Sequence, residues 1–129
     1  MLLINQNHKL ILIDTGLGDK QSERFFSHYY RWGEYSIETS IKKAGFKNSD
    51  ITDVFFTHLH FDHAGGITTP NSQGGFLPTF PNAKHYISKE NWDAGINPNP
   101  RDRASYLEEN YIPIDDAGLF EFVSNDAVI

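Results

Sequence analysis

The ten residues Thr57–Gly66 read T-H-L-H-F-D-H-A-G-G and hold four potential metal ligands, His58, His60, Asp62 and His63. The chain has no cysteine to compete with them. Just ahead, Asp53-Val54-Phe55-Phe56 is short, apolar and partly β-branched or aromatic, which predicts a buried strand running into the cluster. Alternate side chains of a strand share a face. A strand continued through His60 therefore points His58 and His60 the same way, as two imidazoles on one ion must. Asp62 and His63 are adjacent, and a regular strand would separate them. A turn converges them, with Gly65-Gly66 supplying backbone freedom. Imidazole and carboxylate are ligands for Zn²⁺, and they also suit Fe or Mn. A lone strand histidine is ordinarily packed or solvated. Three histidines and an aspartate in six residues form a metal-ligand pattern.

His58-x-His60-x-Asp62-His63 resembles the signature of the metallo-β-lactamase-fold hydrolases. Ile11-Leu12-Ile13-Asp14-Thr15-Gly16 looks like their earlier strand-turn element, and the helical stretch between the two motifs fits as well. The run from Phe80 to Trp92 is similar to the strand after the metal loop. The segment from Asn97 to Pro113 is similar to the lactonase and methyl-parathion-hydrolase-like branch. The resemblance implies a mixed α/β fold of α+β type: half of an αββα sandwich, with a mixed sheet and helices on one face. It implies that His58 and His60 hold one metal and Asp62 and His63 a second, so two Zn²⁺ in a complete site. Asp62 would also position the attacking water or carry its proton. Asp14 would brace the metal loop from behind, as outer partners of ligands do, or is simply a turn-forming aspartate at a strand end.

The family completes its site with a further histidine, a bridging aspartate and a last histidine. Downstream of His63 this chain has only His85, inside an apparent strand, and none of Asp115, Asp116 and Asp126 has the bridging context. The expectation is a single partial domain over 1–129, the N-terminal half of a metallo-β-lactamase-like domain.

The activity implied by the resemblance is metal-dependent hydrolysis. A metal-activated hydroxide attacks an ester, lactone or phosphoester. Two other readings stand beside it: an iron-dependent oxidoreductase of the same superfamily, and an inactive metal-binding fragment whose exposed sheet edges favour homo-oligomers. A small molecule is the expected partner. The net charge of −6 argues against nucleic acid and anionic membrane surfaces. No apolar stretch approaches the roughly 18 residues of a membrane span, and no basic-then-apolar leader opens the chain. The compartment expected is cytoplasmic.

With 129 residues, 39% hydrophobic and 14% aromatic, the chain can build one core. Met1–Ile4 and Lys9–Asp14 predict a hairpin through the polar turn Asn5–His8. Asp19 to Trp32 predicts a helix with an aromatic stripe of Phe25, Phe26, Tyr29 and Tyr30. Ser36 to Ala44 predicts a second, stopped by Gly45, with Ile37, Ile41 and Ala44 on one face. Ile67 to Pro81, rich in Pro and Gly, predicts a long loop walling the site. Ala83 to Ser88 predicts a strand, and Lys89 to Ala94 a short helical turn. Asn99-Pro100 predicts a helix start reaching about Asn110 and ended by Pro113. Arg101 and Arg103 near its start read as a solvated face. Leu119 to Val123 predicts a last strand.

Overall fold

A computed structural model describes residues 1–34 and 36–124. Asp126 lies outside the described residues. The chain opens with β1 (Leu2–Gln6) and β2 (Lys9–Ile13), paired antiparallel. Asn7 and His8 both take positive φ, as the tight type I′ hairpin turn demands. After a loop and the single helical turn α1 (Glu23–Phe26) comes α2 (Ile37–Lys43). Ser36 and Thr39 cap α2 reciprocally. Gly45 follows at φ +91° and ends the run. Next come β3 (Asp53–Phe55), the four-residue helix α3 (Phe61–Ala64), β4 (Thr68–Pro70) and β5 (Phe76–Pro78). The chain closes with β6 (Lys84–Ser88), α4 (Lys89–Ile96), α5 (Glu108–Asp116) and β7 (Phe120–Val123).

Five strands form one mixed sheet in the order β1-β2-β3-β6-β7; β2, β3, β6 and β7 run parallel. The register places Leu12, Val54 and His85 side by side on one face. Ile41 of α2, Trp92 of α4 and Tyr111 and Ile114 of α5 close over that face and share one core with Leu12, Val54 and Ile87. On the opposite face, Ile11, Ile13, Phe55 and Tyr86 are only half-buried. Phe55 and Tyr86 stack there at 4.5 Å.

Several expectations fail for identifiable reasons. The helix over Asp19 to Trp32 is one turn long. Phe25 and Tyr29 pack on each other at 5.1 Å and both turn onto Phe61, and Tyr30 breaks the run at φ +48°. Ala44 faces solvent at the end of α2. The stretch Ile67 to Pro81 is not a loop but a hairpin, β4 with β5. Its connection is folded by Asn71, whose Oδ1 accepts from the amides of Gln73 and Gly75, both at 2.9 Å. Asn99 does accept from the amides of Arg101 and Asp102, as an N-cap would. The helix does not follow, because Tyr106 is extended and bridges to His60. Pro113 lies inside α5 rather than at its end. Proline has no N–H, so the Glu109 carbonyl loses its helical donor. Thr68 Oγ1 supplies one at 2.8 Å. The proline thus becomes the point where the β4–β5 hairpin is stitched to α5.

Candidate metal centre

Strand β3 ends at Phe55, so His58 and His60 sit in the loop beyond it rather than on a strand. The hydrogen bond from the Asp14 amide to the Phe55 carbonyl (2.9 Å) closes the last rung of the ladder there. Leu59, fully buried between the two histidines, roots the loop in the core. The imidazoles of its neighbours stay half-exposed. Asp62 and His63 come from the single turn of α3.

Within this loop, one ligand atom each of His58, Asp62 and His63 falls within 4.8 Å of the others. Asp62 Oδ2 lies 3.5 Å from His63 Nε2. His60 is outside that trio but adjoins it, its ring 4.4 Å from that of His58. On its other side the His60 ring meets Tyr106 edge-on at 4.7 Å.

Asp14 organises the cluster. It is nearly buried and sits at φ +54°, a conformation aspartate tolerates better than most residues. Its carboxylate accepts from the Thr57 amide at 2.9 Å, from Thr57 Oγ1 at 2.9 Å, and from His63 Nδ1 at 2.8 Å. The proton count follows. Thr57 has a single hydroxyl proton and gives it to Asp14. His58 Nδ1 lies 3.0 Å from the same hydroxyl oxygen, where it can donate. With Nδ1 of His58 and of His63 engaged in this brace, Nε2 is the ring atom left to serve as a ligand. Burial, helped by the neighbouring His63 and His60, pushes the His58 pKa down. Asn91 of α4 completes the brace by donating to the Thr57 carbonyl at 2.7 Å.

Gly65 and Gly66 serve a different purpose from the one expected. Gly65 has an ordinary helical φ of −64°. Instead, a Cβ on Gly65 would overlap the Leu17 carbonyl, and one on Gly66 would overlap that of Thr15. Gly18 in turn approaches the Gly65 carbonyl too closely for any side chain, and at φ +69°. These glycines let two backbones touch. Thr15 N and Oγ1 donate to the His63 carbonyl across the seam, at 2.6 and 3.0 Å.

His85 is not part of the cluster. It is fully buried in β6 between Phe56 and Phe120, and neither ring nitrogen makes a well-formed hydrogen bond. Sequence reasoning missed Thr57 and Asn91 as braces, and Tyr106 against His60. Nothing local in the sequence marks Asn91 or Tyr106, since each reaches the loop only through the tertiary fold.

The metallo-β-lactamase superfamily model matches residues 1–116, so the chain belongs to that superfamily. A probable metallo-hydrolase of Mycobacterium tuberculosis is 30% identical over 115 residues, covering 82% of this chain and 34% of that protein. A solved probable metal-dependent hydrolase from Staphylococcus aureus superposes with a TM-score of 0.81 at 28% identity, covering 95% of this chain and 42% of that one. The dizinc quorum-quenching lactonase AidC, solved with the product N-hexanoyl-L-homoserine, superposes at 0.70 with 28% identity, over 98% of this chain and 43% of that one. The chain spans about a third of the length of the curated metallo-hydrolase it matches. No helix among the described residues is long and apolar enough to cross a membrane.

Proposed function

We propose that this chain carries the first half of a two-metal hydrolase centre, with His58 and His60 on one metal and Asp62 and His63 on the other. The observation that carries the reading is the convergence of His58, Asp62 and His63 within 4.8 Å, with the His63 ring fixed by Asp14 at 2.8 Å. Imidazoles beside a carboxylate are a donor set that fits Zn²⁺ and also accepts Fe or Mn. His58, His60, Asp62 and His63 would hold a divalent metal, and its chemistry there would be an acidified water and a polarising charge for a carbonyl or phosphoryl oxygen. The protein's own part is to orient and to move protons. Asp14 holds His63, Thr57 holds His58, and the exposed Asp62 carboxylate orients the attacking water and takes its proton. A lactone, other ester or phosphoester is the substrate class, supported by likeness to a dizinc lactonase.

The complete enzyme would be an αββα sandwich in which the half-buried face bearing Ile11, Ile13, Phe55 and Tyr86 meets a second sheet. That layer would bring the remaining ligands. In its absence the same apolar face and the β1 and β7 edges would favour self-association.

Elemental analysis of the purified chain and of its His58→Ala and Asp62→Ala variants tests the reading. About one zinc or more per chain is expected, with most of it lost in each variant. Equal metal content in all three would sink the assignment. Iron in place of zinc would redirect the chemistry from hydrolysis to redox.

A further inference from the structure

Helix α3, which carries Asp62 and His63, is four residues long. A helix that short cannot hold its own geometry. Its carboxyl end is held instead by the segment just after Asp14. Thr15 takes the His63 carbonyl, and Lys20 Nζ donates to the carbonyl of Gly65, the residue that caps α3. Lys20 pays for this contact with partial burial, which lowers its pKa to about 8 against the opposing pull of Glu109 on α5 and Asp19 on its own loop. The next residue extends the link, Gln21 Nε2 donating to Glu109 Oε1 at 2.8 Å. Glu109 in turn receives Thr68 through its backbone carbonyl. A surface lysine ordinarily keeps its ammonium in water. This one is drawn in to a helix C-terminus, where a cation complements the carbonyls left without helical donors.

We propose that Lys20 is a positioning residue for the metal centre: its ammonium grips the Gly65 carbonyl and so fixes the turn that presents Asp62 and His63. Asp14 sets the ring end of His63, and Lys20 sets the backbone end of the turn. The inference rests on the reading of Asp62 and His63 as ligands.

The test uses the chain itself with Lys20→Met, which keeps the apolar stem, and Lys20→Arg, which keeps the charge. Zinc affinity is measured by competition titration, folding by urea denaturation, and the His63 ring by imidazole nitrogen chemical shifts. Lys20→Met is expected to weaken zinc binding by about 3- to 10-fold, below the roughly 10- to 100-fold cost of losing a direct brace of a ligand. It should also shift the His63 ring signals without zinc, and Lys20→Arg should restore most of both. A Lys20→Met chain that is less stable yet keeps wild-type affinity and ring signals would show a purely structural lysine and overturn the proposal. If the wild-type chain takes up no zinc, the metal reading fails, and the His63 ring signals alone decide whether Lys20 positions the turn.

Discussion

Leu12 and Ile13 are neighbours in β2, with nearly the same side-chain chemistry. Leu12 is fully buried beneath the helices, and Ile13 is half-exposed on the opposite face. The contrast repeats along the sheet: Val54 against Phe55, and Ile87 against Tyr86. Strands that are apolar on both sides are the pattern of a parallel sheet covered twice. Here α2, α4 and α5 cover one side. The uncovered side keeps its apolar surface and ties down its charges in pairs, Lys9 with Asp53 and Lys84 with Glu121. One face is already a core, and the other mixes apolar side chains with paired charges.

The strongest way to break this contrast is truncation on each side. Leu12→Ala should cost about 2–5 kcal/mol, because the cavity lies in a closed core. Ile13→Ala should cost under about 1 kcal/mol, since water already reaches the site. Urea denaturation of both variants measures the gap. Equal losses would mean that the two faces are equally packed.

A slightly smaller effect sharpens the comparison through acid. His85 lies on the covered face, and burial lowers its pKa to about 4 from 6.5. Below pH 6.5 the unfolded chain takes up the proton and the folded chain does not. Stability contributed by the neutral ring is therefore complete above pH 6.5, falls as pH drops towards 4, and changes no further below that. The loss should approach about 3 kcal/mol, and His85→Phe should remove that component from the difference between stability curves at the two ends of the window. Parallel curves for the two proteins would mean that His85 titrates normally.

The cluster in the candidate metal loop was legible because its chemistry is local. His58, His60, Asp62 and His63 announce themselves by type and spacing, and the β1–β2 hairpin by two apolar runs on either side of a polar turn. The braces Asn91 and Tyr106 were not legible, because each arrives from a distant element. The β4–β5 hairpin was hidden for a related reason. Thr68–Pro70 and Phe76–Pro78 are three residues each and end in proline, which outweighs the strand-forming Thr68, Thr69 and Phe76. They hold their form by packing under α5, through a carbonyl that Pro113 leaves free. The supposed helix beyond Asn99 had a real cap but lost to the pairing of Tyr106 with His60. Gly65-Gly66 was correctly noticed and wrongly explained, since a sequence does not reveal which backbone will lie against a glycine.

That glycine seam also has a consequence in time. Gly18, Gly65 and Gly66 mesh two backbones with no side chain between them, and hydrogen bonds cross the join at Thr15 and Gly66. A seam of this kind has no soft, rotamer-hopping layer through which one side could loosen while the other stays put. The segment from Asp14 to Gly18 and the turn bearing Asp62 and His63 should therefore open as one cooperative unit. Native-state hydrogen exchange would register this as matching opening free energies at the amides of Thr15, Ala64 and Gly66, and distinct values would show that the two halves breathe separately.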